Sequence, residues 1–232
     1  MSGFRDNKGT LVLMAHITTD KGSPSAGNIE VFAGNSAFLR SKKKRAVDLF
    51  TSVFGLLITA VMLPLIALLI KLDSRGPIFY RQKRLGLDGN VFVLHKFRTM
   101  VDDAEDNGGA VWATNTDPRI TRIGWLLRTI YIDEFPQWWN VFKGDMSAIG
   151  PRPERPEMSK LISREVPGFS KRLGAKPGIS GLAQVEYKYA NTVSDSRHKL
   201  SFDQIYISKA SSLIDMWIMV RTIRRMLLRR GT

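Results

Sequence analysis

Residues 49–70 read LFTSVFGLLITAVMLPLIALLI, 22 positions without one charged side chain. About 20 apolar residues suffice to cross the hydrocarbon core of a bilayer as a helix. The run is long for a buried core helix in a chain of 232 residues. It begins too late for a signal peptide, and no small-residue cleavage site follows it. Membrane insertion is therefore the favoured reading, but crossing is a separate question. Lys42, Lys43, Lys44 and Arg45 precede the run, and Lys71, Arg75, Arg81, Lys83 and Arg84 follow it, whereas the positive-inside rule expects one basic flank. Pro64 removes a backbone hydrogen bond inside the run and bends a helix. A helix that enters, turns at Pro64 and leaves on the same face satisfies both features. Charge pattern alone does not separate it from a Pro-kinked spanning helix.

Composition narrows the chemistry. Hydrophobic residues make up 44% of the chain and charged residues 24%, enough apolar surface to bury a core. Cysteine is absent, which excludes disulfides, thiolate nucleophiles and cysteine-ligated metal centres. The histidines, His16, His95 and His198, have no metal-ligand spacing. With 35 Lys+Arg against 21 Asp+Glu the net charge is +14, which points to an anionic partner such as nucleic acid, a phospholipid surface or a phosphorylated substrate.

Outward from the apolar run, residues 1–41 read as a poorly ordered tail, with a short strand around Thr10–Met14. Residues 42–72 read as the basic flank and membrane helix, and residues 73–232 as the main domain. Two strand-like runs, Ile78–Gln82 and Val91–Phe97, flank a turn at Gly86–Asn90 that contains Asp88-Gly89. Apolar spacing predicts a helix over Arg119–Tyr131, and others from near Asp133 to Gly144, over Pro156–Glu165, over Lys199–Ala210 and over Leu213–Arg230. The last carries Trp217, Met219, Ile223 and Leu227 beside several arginines, a composition that suits an interfacial helix and nearly as well a core helix with a basic face. The expected class is α+β, mostly helical: a re-entrant membrane helix, then a compact membrane-associated domain with short strands and amphipathic helices.

Asp133-Glu134 is the first chemical candidate. A carboxylate there can attack phosphorus or hold Mg2+. Plain N-capping of a helix is the stronger reading on local pattern alone. Gly150-Pro151-Arg152-Pro153 is a stiff turn that aims one guanidinium, suited to phosphate, or else a connector whose Arg152 faces water. Lys96 and Arg98 share one face of a strand and either grip a diphosphate or form a solvated edge. Lys176-Pro177-Gly178-Ile179-Ser180-Gly181 reads as a turn with open amides beside a cation, without P-loop spacing. Asp102, Asp103, Glu105 and Asp106 read as a solvated loop, His95 as a structural histidine, and Trp138-Trp139 as core or a membrane-interface belt. No nucleic-acid-binding signature and no Asp-x-Asp metal clamp is present.

Taken in order, the basic flank, the apolar helix with a central Pro, Gln82-Lys83-Arg84-Leu85-Gly86, Lys96-Phe97-Arg98-Thr99-Met100, Asp133-Glu134-Phe135-Pro136-Gln137, Lys143-Gly144-Asp145-Met146-Ser147, Gly150-Pro151-Arg152-Pro153 and the Lys176–Gly181 segment make a strong set from individually weak motifs. From about Lys42 to the C-terminus the chain resembles the bacterial sugar transferase family, the monotopic polyprenyl-phosphate phosphoglycosyl transferases. That resemblance outweighs capping at Asp133. It implies transfer of a sugar 1-phosphate from a UDP-sugar to polyprenyl (undecaprenyl) phosphate, with release of UMP, at the cytoplasmic face of the bacterial inner membrane. The product would start exopolysaccharide or other surface-glycan assembly. It further implies Asp133 as nucleophile, Glu134 assisting, Mg2+ held by Asp133 and Glu134, phosphates held by Lys96, Arg98, Arg152 and Lys176, and a re-entrant hinge at Pro64. Implied partners are the UDP-sugar, polyprenyl phosphate, membrane phospholipid and a second copy in a homodimer, with no nucleic acid. The chain departs from many relatives in having Leu63 before Pro64, Lys176 in place of Arg, and Ile132 and Phe135 around the acidic pair; none of these removes a charge that the mechanism needs. Two other classes stay open: a membrane-tethered glycosyltransferase that releases UDP, and a non-catalytic basic module that binds membrane or RNA.

Overall fold

The computed structural model describes residues 36–102, 104, 117–187 and 192–227. The expected tail strand, His16, Asp103, Glu105, Asp106, Arg229 and Arg230 lie outside these residues. A short helix α1 (Ser36–Leu39) precedes α2 (Lys42–Asp73), which contains the whole apolar run. At 32 residues α2 is about 48 Å long. The Ser41 hydroxyl caps it by accepting from the Lys44 amide at 3.1 Å. At its other end Lys71 donates to the Gly76 carbonyl at 2.8 Å, and the helix is continuous through Pro64.

The two sides of α2 are opposite in character. Lys44, Asp48, Ser52, Gly55, Thr59, Ile66 and Ile70 are buried against the rest of the chain. Their spacing of three, four or seven residues makes one stripe. Phe50, Phe54, Leu57, Val61, Leu65, Leu68 and Leu72 form the other stripe and are exposed. Polar and small residues therefore face inward over the first half, and large apolar ones face outward throughout. This inverts the pattern of a helix on a water-soluble core. Gly55 is required by packing: a Cβ there would stand 2.4 Å from the Trp138 ring.

After α2 comes an antiparallel hairpin of β1 (Phe79–Leu85) and β2 (Val91–Phe97), in register from Phe79 opposite Phe97 to Leu85 opposite Val91. A 3₁₀ turn at Leu87–Gly89 joins them, with Asp88 (φ 54°) and Gly89 (φ 82°) in the left-handed region, the conformation that an Asp-Gly pair favours. β1 extends three residues past the expected Gln82. Its inward positions Tyr80, Gln82 and Arg84 are polar because they line a cleft, so no apolar alternation marks the strand. Helix α3 (Arg122–Thr129) is shorter than the spacing predicts. Tyr131 (φ 58°) breaks the helix and starts a 3₁₀ segment, Ile132–Gln137, that leads into α4 (Trp138–Lys143), which stops at left-handed Gly144. Asp133 and Glu134 thus sit inside a 3₁₀ turn with no capping hydrogen bond, and the capping alternative falls away.

Two three-residue strands, β3 (Ser147–Ile149) and β4 (Gly178–Ser180), pair in parallel. The Lys176–Gly181 segment is therefore part turn and part strand. Strands this short show no periodicity in sequence. Between them lie α5 (Pro156–Glu165), at the expected bounds, and a 3₁₀ segment, Phe169–Gly174. Helix α6 (Leu182–Glu186) follows. Next, α7 (Val193–Lys209) starts earlier than the expected Lys199 because Thr192 and Asp195 form a capping box. In α8 (Ser212–Leu227) one side buries Ile218 beside Ile149, Leu182 and Tyr206, while Leu213, Met216, Val220, Ile223 and Leu227 are exposed. A second core cluster joins Ile66 and Ile70 of α2 to Phe97 and Leu127, so the inner end of the hairpin rests on α2. The described chain is mostly helical with short strands.

Candidate active site

Three separate segments converge on one cleft of about 460 Å³. The end of β2 supplies Lys96, and Arg98 follows its last residue. The 3₁₀ turn after α3 supplies Asp133 and Glu134, and the turn after β3 supplies Arg152. Each is held from behind. Phe135, beside the acids, offers its carbonyl to the Thr59 hydroxyl of α2 at 3.5 Å. The Arg152 turn is tied to β4 by the Gly178 amide, which donates to the Pro151 carbonyl at 2.9 Å. The Arg152 carbonyl takes a 2.9 Å bond from Arg172, itself paired with buried Asp203 at 2.8 Å.

Both carboxylates are buried, Asp133 at 7% exposure and Glu134 at 8%, yet they are compensated unequally. Glu134 Oε1 accepts from Lys96 Nζ and from Arg152 Nη2, each at 2.7 Å. Among the described residues Asp133 has one ion pair, with Lys96 at 3.7 Å, and Arg128 and Arg152 act on it through charge alone. Burial raises the Glu134 carboxyl, but the charges of Arg152 and Lys96 and their hydrogen bonds outweigh it and hold Glu134 well below the ordinary carboxylate range. Burial raises the Asp133 carboxyl above that range; Lys96 pulls the other way, and the neighbouring Glu134 charge adds to the rise. Two adjacent carboxylates whose environments push them apart mark a division of roles. One is a fixed anion already neutralised, and the other is a more basic oxygen still short of positive partners.

Arg98 lines the same cleft but touches neither acid. It donates through Nη2 to the Ser74 carbonyl at 2.8 Å and hydroxyl at 2.9 Å, at the end of α2. Lys176 does not line the cleft. It sits near Arg45 of α2 around Gly144, where burial and the Arg45 charge lower its pKa. Pro64 lies inside α2 and does not line the cleft. His95 lies on β2, its backbone amide bound by the Asn140 side chain at 3.1 Å. Trp138 packs between α2 and the core, whereas Trp139 is exposed and stacked on Phe142 at 5.8 Å.

Sequence reasoning missed Arg128, the last-turn arginine of α3. Its guanidinium lines the cleft, donates from Nε to the Thr99 hydroxyl at 2.8 Å and is near enough to Asp133 to interact with its charge. Its place five residues before Asp133, across a helix end, was the available signal. Tyr80, Gln82 and Arg84 of β1 and Arg155, which also line the cleft, were not singled out as site residues. Burial there lowers Arg84 to about 10, against the pull of Glu154.

Among the described residues no group of three or more His, Asp or Glu side chains gathers as a metal cage. Mg2+ does not require one, since it takes one or two carboxylates and completes its shell with water and substrate phosphates. Asp133, buried and poor in positive partners, fits that requirement. Glu134 Oε1 is already engaged by two cations.

Residues 39–229 match the family model described as bacterial sugar transferase. The chain is 41% identical over 184 residues to a UDP-N-acetylgalactosamine-undecaprenyl-phosphate N-acetylgalactosaminephosphotransferase of Aeromonas hydrophila, a match covering 79% of this chain and 43% of the relative. It is 40% identical over 194 residues to an undecaprenyl-phosphate glucose phosphotransferase of Komagataeibacter xylinus, covering 82% and 36%. A UDP-glucose:undecaprenyl-phosphate glucose-1-phosphate transferase of Caulobacter vibrioides is 39% identical over 187 residues, covering 80% and 70%. The chain thus spans less than half the length of the first two relatives.

Proposed function

The chain belongs to the bacterial sugar transferase family, and we propose that it moves a sugar 1-phosphate from a UDP-sugar to polyprenyl phosphate through a covalent intermediate on Asp133. The observation that carries this reading is the unequal pair, a buried Asp133 with few positive partners beside a Glu134 fixed by two cations, at the wall of a cationic cleft. In the first step an Asp133 carboxylate oxygen attacks the β-phosphorus. The bond from that phosphorus to the bridging oxygen breaks, and UMP leaves with the electron pair. In the second step a phosphate oxygen of the acceptor attacks the same phosphorus and returns Asp133 as a free carboxylate. Splitting the transfer avoids bringing donor, acceptor and catalyst together in one event.

The surrounding residues serve these steps by charge. Glu134 holds Lys96 and Arg152 in place while their remaining N–H groups meet the donor's phosphate oxygens, and Arg128 adds a third cation. Asp133, with any help from Glu134, would hold Mg2+, which neutralises diphosphate charge when bound. Lys176, remote from the cleft, is better suited to an anionic surface than to the reacting phosphates.

The outward apolar stripe of α2 fits an enzyme seated in one leaflet, and both basic ends of α2 on the cytoplasmic face fit a re-entrant, monotopic helix. A polyprenyl phosphate would then meet the cleft at the interface. The relatives are named for N-acetylgalactosamine and for glucose, so the donor here is one of the UDP-hexoses of that kind, and the product would start a surface glycan. Detergent-purified protein with Mg2+, undecaprenyl phosphate and a panel of UDP-sugars tests the reading. UMP released by the wild type and not by Asp133→Asn supports it; UDP instead makes the chain an ordinary glycosyltransferase.

A further inference from the structure

The hairpin lays the cleft out as a line. Residues two apart on one strand face are about 7 Å apart, and Tyr80 pairs with Lys96 while Gln82 and Arg84 lie further along β1. Arg84 therefore lies toward the outer end, bound to the Pro153 carbonyl at 3.0 Å. Lys96 lies at the centre beside the carboxylates. Arg98, whose amide extends the ladder to the Ile78 carbonyl at 2.9 Å, lies at the end that meets α2. There the Phe79–Phe97 stack rests beside Ile66 and Ile70, and Leu65, Leu68 and Leu72 are exposed.

Among the described cleft residues Arg98 has the most unmet guanidinium nitrogens; Arg84 has one, its Nε. Arg98 is only 4% exposed, and its Nε and Nη1 are buried without a hydrogen-bond partner. Among the described residues no carboxylate pairs with it. The Asp102 carboxyl and Arg98 Nη1 both border Gly76 without bonding to each other, and Gly76 (φ 118°) has no room for a Cβ, which would fall 2.1 Å from Nη1. A buried guanidinium with two unmet nitrogens is costly to maintain, and a phosphate oxygen reaching Nη1 would offset part of that cost. Lys96 and Arg152, by contrast, are already engaged by Glu134. Arg98 borders the cleft while Nη2 stays bound to Ser74, so Nη1 is the nitrogen left for a ligand there.

We propose that Arg98, anchored by Ser74, is the subsite for the phosphate of the isoprenoid acceptor, while the Lys96–Arg152 centre and the outer end take the nucleotide. This inference rests on the reading given under Proposed function. In-line displacement puts the leaving UMP oxygen and the incoming acceptor oxygen at the same apical point on phosphorus, so the two ligands share that point. What lies beyond it diverges: the nucleoside extends along β1, and the isoprenoid chain extends toward the apolar end of α2. Only the acceptor needs a cation at the α2 end.

The test compares binding of farnesyl phosphate, farnesol, inorganic phosphate and UDP to detergent-solubilised wild-type protein, Arg98→Met and Arg98→Lys, with thermal melting of each. Arg98→Met is expected to lose at least tenfold more affinity for farnesyl phosphate than for UDP, with a melting temperature equal to or above the wild type because an unmet buried cation is removed. Arg98→Lys is expected to recover part of the loss. Equal losses for both ligands, an unchanged farnesyl phosphate affinity, absence of wild-type binding, or a lowered melting temperature with general loss would each overturn the assignment. Inorganic phosphate bound as tightly as farnesyl phosphate would also overturn it, since the site would then be a free-phosphate site. If farnesyl phosphate binding depends on Arg98 but no UDP-sugar yields UMP, the subsite stands and the proposed reaction fails.

Discussion

Two buried ionic clusters brace this molecule, and they are built from similar parts. In one, Lys44 of α2 lies 3.3 Å from Asp48 and 2.8 Å from Asp215 of α8. Asp48 also accepts from the Ser147 hydroxyl at 2.9 Å and the Ala148 amide at 3.1 Å, and Asp215 from the Tyr206 hydroxyl at 2.8 Å. In the other, Lys96 and Arg152 meet Asp133 and Glu134. Each contains two carboxylates. The first is sealed inside and each carboxylate has several donors. The second borders a cleft of about 460 Å³ and, among the described residues, leaves Asp133 with a single ion pair at 3.7 Å. Buried charge alone therefore does not mark a reactive site. Access combined with incomplete compensation does.

The comparison is broken most severely by neutralising one charged residue in each cluster. Asp133→Asn is expected to lower UMP release by at least about a thousandfold, as loss of a covalent nucleophile does. Because burial raises the Asp133 carboxyl, its ionised form disfavours folding above that raised value. The same variant should therefore keep or raise the melting temperature at pH 7. Lys44→Met leaves Asp48 and Asp215 without their cation, which costs about 3–5 kcal/mol when one partner of a buried pair is removed. A melting temperature lower by roughly 10 °C is expected, with activity per folded molecule largely kept. Thermal unfolding beside UMP release separates the two effects.

A smaller effect sharpens the asymmetry between the two acids. Arg152→Ala removes one of the two donors to Glu134. With Arg152 partly solvent-exposed, at 41% of its side chain, a loss of about 10- to 100-fold in UMP release is expected, in the range for removing one charge-stabilising group. The smallest effect concerns pH. Asp133 attacks only when ionised, and its carboxyl lies above the ordinary value of 3.8. The acid limb of the rate profile should therefore fall at a higher pH than an unperturbed aspartate would give, while Glu134, held low, stays ionised across it. A pH profile of single-turnover UMP release reads this directly.

The sequence carried much of this arrangement, unevenly. The missing charges between Leu49 and Ile70 mark α2, and Asp88-Gly89 marks the hairpin, because both are local signals. Asp133, Glu134, Lys96 and Arg152 were legible through the order of motifs, and the structure brings them to one wall. The inward stripe Lys44, Asp48, Ser52, Gly55 and Thr59 was present at helical spacing, but Lys44 reads as part of a basic flank until its distant partner Asp215 is known. The β3–β4 pair joins segments about 30 residues apart through backbone bonds that leave no side-chain pattern. Lys176 lies near Arg45 and Gly144, from other elements, and does not line the cleft that holds Asp133 and Glu134.

The most direct test of the central claim is the intact mass of the protein after mixing with UDP-sugar and Mg2+ in the absence of acceptor, followed by peptide mapping. A mass increase of one sugar phosphate less water, located on the peptide containing Asp133, removed by polyprenyl phosphate and absent in Asp133→Asn, is the predicted result. Lipid-linked product formed with UMP release, but with no adduct at any time or with the adduct on another residue, would contradict the account.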